Sequence, residues 1–89
     1  MTGKERAVFR KQANTLTPIF QIGKGDISDN MVEAVDAALE KRELIKLSVL
    51  ETAGLSARDA AEMLSAARGS EVIQCIGRKF VLYRKREED

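Results

Sequence analysis

One stretch organises the chain: Pro18–Asn30, with the sequence PIFQIGKGDISDN. The apolar run Ile19–Ile22 predicts a short strand, which a proline can open but cannot occupy centrally. Ser28-Asp29-Asn30 then begins a helical pattern. Between the two, the loop Gly23–Gly25 combines flexible backbone, a lysine and a helix N-terminus. Because glycine lacks a Cβ atom and helix N-termini favour anions, this loop is a candidate contact for a phosphate backbone.

Outward from this stretch, residue periodicity predicts the element order α-β-α-β-α-β-β. The predicted elements are a helix from the Thr2 cap to about Asn14, a strand at Ile19–Ile22, a helix at Ser28–Lys41, a strand at Leu44–Leu50, a helix from the Ser56 cap to Gly69, and strands at Glu71–Ile76 and Lys79–Arg84. Strands joined through helices favour parallel pairing, whereas the loop Gly77-Arg78 predicts an antiparallel hairpin of type II′. We therefore predict an α/β fold, a two-layer α+β arrangement whose four-stranded mixed sheet is packed by helices.

The chain is long enough for one small domain, which we assign to residues 1–84 of the 89. Residues 85–89 are charged, have no apolar anchor and are predicted to fray. No apolar run approaches the ~20 residues of a membrane span, and the N-terminus carries no apolar signal region. We therefore expect a cytoplasmic monomer without membrane contact.

The inventory of reactive side chains disfavours catalysis. There is no histidine, which removes the usual general base and the commonest transition-metal ligand. Cys75 is the only cysteine, so it cannot form an internal disulfide, and its alternation with Ile73 predicts a small core residue. The glycine loop lacks the spacing of a P-loop. We expect a protein that is not an enzyme and that needs no cofactor or metal.

Charge is unevenly distributed along the chain, although the total is only +1. Residues 1–24 carry a net charge of +4, residues 25–62 carry −5 and residues 63–89 carry +2. This segregation predicts a basic face and an acidic face. An acidic stripe lies on the second predicted helix; its members are Glu33, Asp36, Glu40 and Glu43. It is either a solvated face or a docking surface for a basic protein.

Three segments of the chain resemble a known family. Ile22–Gly25, Arg42–Lys46 and Ile76–Arg84 occur in the order and spacing of YhbY-like, or CRM-domain, RNA-binding proteins, and Leu16–Ile19 also resembles theirs. The likeness extends from about Thr2 to Arg84. It implies a fold similar to the C-terminal domain of translation initiation factor three. Since stand-alone bacterial members associate with precursors of the large (50S) ribosomal subunit, it also implies a partner, ribosomal RNA, and a role in ribosome biogenesis.

The chain departs from the family at one position. Family members usually carry a Gly-x-x-Gly loop, in which Gly23 is the first glycine and Asp26 occupies the place of the second. The carboxylate would either repel a phosphate or help to cap the second helix. Gly25 could compensate for the missing glycine.

The candidate RNA-binding residues follow from the loop, the basic segments and this resemblance. They are Gly23, Lys24, Gly25, Asp26, Lys46, Arg78, Lys79, Lys4, Arg10, Lys11 and Arg84. A solvated turn or helix face would explain the same charges. The four aromatic residues are expected mostly in the core, so contact with phosphates and shape is predicted, rather than base-specific recognition. The alternative function is a protein-interaction adaptor that uses the acidic stripe, for which the resemblance suggests a basic ribosomal protein as the partner.

Overall fold

The structure is a computed structural model and describes residues 1–24 and 27–86. Gly25 and Asp26 of the candidate loop, and residues 87–89 of the predicted tail, lie outside the described residues. The elements are α1 (Gly3–Ala13), β1 (Phe20–Ile22), α2 (Asp29–Arg42), β2 (Leu44–Val49), a short 3-10 helix (Glu51–Ala53), α3 (Ala57–Arg68), β3 (Glu71–Ile76) and β4 (Lys79–Tyr83). The predicted order is confirmed, and most boundaries move by only one residue.

Hydroxyl caps begin all three of these helices. The Thr2 hydroxyl accepts a hydrogen bond from the Glu5 amide, and the Glu5 carboxylate accepts one from the Thr2 amide, which completes a capping box. Ser28 and Ser56 cap α2 and α3 in the same way, each accepting from the amide three residues later. None of the helices in the described part of the chain has the length and apolar character needed to cross a membrane.

The four strands form one mixed sheet in the order β1-β2-β4-β3. β1 and β2 are parallel, and β3 and β4 form an antiparallel hairpin, as predicted. β4 also pairs antiparallel with β2, a pairing that the sequence did not predict. Gly77 has a φ of +61°, whereas the φ of Arg78 is not positive, as the predicted type II′ turn requires. The register between β3 and β4 shifts by one residue between Val72 and Gln74, which marks a β-bulge.

Alternate residues of β4 face two different helical layers. Phe80 and Leu82 are fully buried in the main core beneath α2 and α3. Val81 is fully buried on the opposite face, where it packs with Ala13 of α1 and with Ile73. The predicted two-layer arrangement therefore describes the sheet with α2 and α3, and α1 adds a partial layer on the other face.

Small residues allow α3 to lie close against the sheet. Ala57, Ala60 and Ala61 are all buried in the main core, together with Leu64. The helix ends at Gly69, whose φ of +71° suits a glycine C-cap. The close approach of α3 therefore depends on alanine at these positions.

We expect Ala60→Leu to destabilise the fold by about 1–3 kcal/mol, because three additional carbon atoms would have to fit where Ala60 is 0% exposed. Ala66→Leu, on the exposed side of the same helix, is the matched control and should stay within about 0.5 kcal/mol of the parent. Urea unfolding of the three proteins measures both effects. Equal stabilities for the two variants would show that close packing of α3 on the sheet does not require an alanine at position 60.

Candidate nucleic-acid interface

The end of β2 brings two distant segments together. The Leu50 amide donates to the Ile22 carbonyl at 2.9 Å, where β1 leads into the glycine loop. The neighbouring Val49 amide donates to the Arg78 carbonyl at 2.7 Å, in the turn between β3 and β4. Because consecutive amides of a strand point in opposite directions, β2 holds the loop on one side and the turn on the other. We call this part of the molecule, with Lys24, Arg78 and Lys79, the basic end.

Gly23 lies against Leu50, yet none of the described residues requires a glycine there. A Cβ atom on Gly23 would lie 3.6 Å from Leu50 Cδ1, which is an ordinary van der Waals contact. Its φ lies outside the left-handed region that favours glycine, unlike that of Gly69. Neither packing nor a tight turn therefore explains the absence of a side chain at this position.

The three cations of the basic end differ in how firmly they are held. Arg78 reaches back to the Leu50 carbonyl at 3.4 Å and to the Glu51 carboxylate at 3.9 Å, and its side chain is half exposed. Lys24 and Lys79 are exposed. Among the described residues, neither lysine forms an ion pair. They are consequently available to a polyanion.

Lys46 and Lys79 share one face of the sheet. Ser48 pairs with Lys79 and Lys46 pairs with Val81, so both lysines lie on the face that carries α1. They are diagonal neighbours on adjacent antiparallel strands, roughly 7–8 Å apart at the backbone. α1 ends at Ala13, so it covers only part of this face.

A groove opens beside the end of α1 on the same face. It has a volume of about 130 Å³ and is lined by Asn14, Lys46, Gln74, Ile76, Lys79 and Val81. We refer to it as the open groove. Ile76 is 68% exposed, a high value for a large apolar side chain on a strand. No carboxylate lies among the lining residues that the structure describes.

The candidate RNA-binding cations of α1 lie at opposite ends of the helix. Arg10 and Lys11 are in the last turn, next to Asn14 of the open groove. Lys4 is in the first turn, and its neighbour Glu5 lies beside Glu71 and Tyr83 at the other end of the sheet. Lys4 is therefore not brought together with the basic end.

Arg84 is held inside the fold, away from the basic end. Its guanidinium lies 2.6 Å from Asp36 Oδ1 and 3.4 Å from Glu40 Oε1, and it also donates to the carbonyls of Asp36 and Arg68. Only 19% of its side chain is exposed. Arg68 lies within 4 Å of Asp36 and of Glu33. The acidic stripe is thus faced by arginines of the same chain.

Glu43 and Arg86 join the chain's last described residues to the end of α2. The Glu43 carbonyl accepts from the Arg84 amide at 2.9 Å, and its carboxylate accepts from the Arg86 amide at 2.7 Å. The Arg86 guanidinium also donates to the Lys41 carbonyl at 3.2 Å. These contacts fix the path of the chain through Arg86.

Among the described residues, two groups have shifted pKa values, and both lie away from the basic end. Hydrogen bonds from the Thr2 amide and hydroxyl lower the pKa of Glu5. Burial, followed by the charges of Glu43 and Glu5, raises the pKa of Tyr83, whose ring stacks on Phe9. The folded protein therefore holds the phenol proton more tightly than the unfolded chain does. The resulting stabilisation is fully present below pH 10 and is lost as pH rises through the raised pKa of Tyr83.

Comparison with known proteins identifies the family. The CRS1/YhbY (CRM) domain matches residues 1–84. The chain belongs to this family. It is 45% identical over its full length to the Probable RNA-binding protein YqeI of Bacillus subtilis, of which it covers 93%. It is 35% identical to a probable RNA-binding protein of Methanocaldococcus jannaschii, with 98% of this chain and 66% of that protein covered.

A solved structure of this fold supports the assignment to the CRM family. The solution structure of a hypothetical protein from Staphylococcus aureus superimposes with a TM-score of 0.77 at 42% identity. The match covers 100% of this chain and 93% of that one. The stand-alone, YhbY-like resemblance of the sequence is thereby confirmed.

Sequence reasoning did not identify the polar and apolar residues that surround the two lysines of the CRM sheet. Asn14 and Gln74 line the open groove but belong to no charged motif, and Ile76 is an apolar residue at the start of one. Gln74 interrupts an otherwise apolar strand, and this was the available signal. The register shift after Val72 that determines its face has no signature in the sequence.

We expect Arg84→Gln to lower the free energy of unfolding by about 1–3 kcal/mol, because it removes charge-assisted hydrogen bonds from a mostly buried guanidinium. Arg58→Gln is the control, since Arg58 forms only an exposed pair with Glu62 at 3.8 Å and should change stability by less than about 0.5 kcal/mol. Urea denaturation compares the two. A stable Arg84→Gln variant would mean that the acidic stripe does not need its arginine.

Proposed function

We propose that this CRM domain binds ribosomal RNA in precursors of the large ribosomal subunit, and that it acts by binding rather than by catalysis. One observation carries the proposal: β2 joins the glycine loop and the Arg78 turn, so that Lys24, Arg78 and Lys79 form one basic end. The Bacillus and Methanocaldococcus relatives are both named as probable RNA-binding proteins, which supports the choice of ligand.

The contacts expected at this end are to phosphates. Lysine offers a mobile point charge, and the half-exposed Arg78 adds a second donor type. A loop without a side chain at Gly23 would let the RNA backbone approach the main chain closely. Lys46 extends the positive charge across the sheet face, and Arg10 and Lys11 extend it along α1. We leave Arg84 out of this surface because it is engaged by Asp36 and Glu40.

The adaptor alternative has weaker support. Its docking surface would be the acidic stripe, and the Asp36 and Glu40 carboxylates there are paired with Arg84. A basic partner would have to compete with a guanidinium that is already held by two backbone carbonyls. Phosphate binding at the basic end requires no such exchange for Lys24 and Lys79, which form no ion pair with another described residue.

The test measures RNA affinity against salt. We expect Lys24→Gln, Arg78→Gln and Lys79→Gln together to weaken binding to fragments of large-subunit ribosomal RNA and to flatten the slope of log affinity against log salt by about 2–3, since each phosphate contact contributes about 0.7–0.9. Fluorescence anisotropy across a salt series provides both quantities.

A control with the same charge change carries Lys41→Gln, Arg58→Gln and Lys85→Gln, all exposed and outside the basic end. It should keep most of the slope. Equal losses in both triple variants would show that only net charge matters. Small-subunit RNA fragments of the same length test the choice of ribosomal RNA, because equal affinity would contradict a role specific to the large subunit.

The glycine loop generates a separate prediction. Gly23→Ala should leave stability within about 0.5 kcal/mol of the parent but weaken RNA binding, because among the described residues the added methyl group meets only Leu50, yet it would hold the RNA backbone away. Gly69→Ala should do the reverse, because its φ of +71° strains alanine by about 1–2 kcal/mol at a point remote from the basic end. Thermal unfolding and anisotropy are measured for both. Unchanged affinity in Gly23→Ala would remove the loop backbone from the interface.

A further inference from the structure

We propose that the open groove holds one unpaired nucleotide of the bound RNA, with Gln74 contacting the edge of the base. This inference rests on the proposed function and specifies the class of RNA: a segment with an unpaired base, such as a loop or a single-nucleotide bulge. It also adds a base contact to an interface for which the sequence predicts only phosphate contacts.

The fold creates the groove by two local features. α1 ends at Ala13, and Asn14 follows at the rim, so the sheet face beyond it is uncovered. The β-bulge of β3 places Gln74 opposite Val81, next to Ile73 on the same face. Without this shift, strict alternation would turn Gln74 towards α2 and α3.

The groove offers hydrogen-bonding groups that the protein does not use. Within residues 1–24 and 27–86, neither the Asn14 nor the Gln74 side-chain amide forms a hydrogen bond to another protein group. A carboxamide presents an acceptor and a donor side by side, which matches the edge of a base. Gln74 is half buried on a strand, so it is the better positioned of the two.

The remaining walls suit the other parts of a nucleotide. Val81 is fully buried beneath the groove, so the 68% exposed Ile76 provides the aliphatic surface for the face of a base. Lys46 and Lys79 lie on adjacent strands at the groove, where they can neutralise the phosphates on either side of the base. A volume of about 130 Å³ is small, so the groove admits one flat ring system but not a duplex.

The positions of the aromatic residues explain why an aliphatic side chain, rather than an aromatic ring, would contact the face of the base. Phe80 is fully buried, and Phe9 and Tyr83 stack on each other with centroids 4.1 Å apart. Phe20 packs against the main core on the other face. No aromatic ring of the described residues lines the groove, so Ile76 and the amides are the groups left to contact a base.

The preference for an unpaired base follows from energetics. Extracting a base from a duplex costs a few kcal/mol, whereas a base in a loop or bulge is already accessible. Two RNA hairpins that differ only by one unpaired adenosine in the stem therefore provide the test. At a fixed salt concentration we expect the hairpin with the extra adenosine to bind at least about fivefold more tightly, the low end for a bidentate amide–base contact.

Variants locate the discrimination in the groove. Gln74→Ala should reduce the affinity ratio of the two hairpins to about one without changing the charge of the protein. Ile76→Ser, at an exposed site, should reduce the same ratio and serves as the second variant if Gln74→Ala folds poorly. Gln12→Ala is the matched control on the exposed surface of α1 and should keep the full ratio.

The outcomes separate this inference from the proposed function. Equal binding of the two hairpins by the parent protein overturns the groove assignment and leaves phosphate binding intact. A ratio that survives in both Gln74→Ala and Ile76→Ser also overturns it. If neither hairpin nor any ribosomal RNA fragment binds at low salt, the proposed function itself fails, and the inference fails with it.

Discussion

The register of β2 is the constraint on which the rest of the structure depends. Leu47 pairs with Phe20 on one side and with Phe80 on the other, so its neighbours Ile45 and Val49 face the main core. A slip of one residue would bury Lys46 under α2 and α3 and expose all three apolar residues. The same register aligns the amides of Val49 and Leu50 with the turn and the loop. The register of β2 therefore determines both the packing of the main core and the position of the basic end.

The acidic stripe and the arginines that face it form the second organising feature. Glu43 has a positive φ of 63°, an uncommon and strained conformation for a residue other than glycine, and it accepts the amides of Arg84 and Arg86. This conformation of Glu43 persists because its carbonyl and its carboxylate are both held by amides of the chain that follows β4. Negative charge that would oppose a polyanion is thereby neutralised by Arg84 and Arg68.

Local patterns predicted the elements well, because each depends on neighbouring residues: the Thr2 and Ser56 caps, the alternation of β2, and the glycine of the hairpin. Features determined by long-range contacts were not accessible. The side of the sheet on which α1 packs depends on Ala13 meeting Val81. Asp36, which forms the shortest contact with Arg84, lies 48 residues earlier, so the place of Arg84 in a motif gave no indication of its engagement. The basic residues of the candidate site could be predicted from the sequence, whereas the open groove could not, because it depends on these long-range contacts.

Arginine and lysine have separate tasks in this fold. Within residues 1–24 and 27–86, the cation of every ion pair is an arginine. A guanidinium presents a fixed set of donors, so Arg84 can satisfy carboxylates and carbonyls together in one geometry. A lysine ammonium has no such fork and keeps its hydration and mobility. In the RNA complex that we propose, Lys24 and Lys79 would therefore follow phosphates whose positions vary with sequence, and the uncharged amide of Gln74, which its strand holds in place, would provide the discrimination.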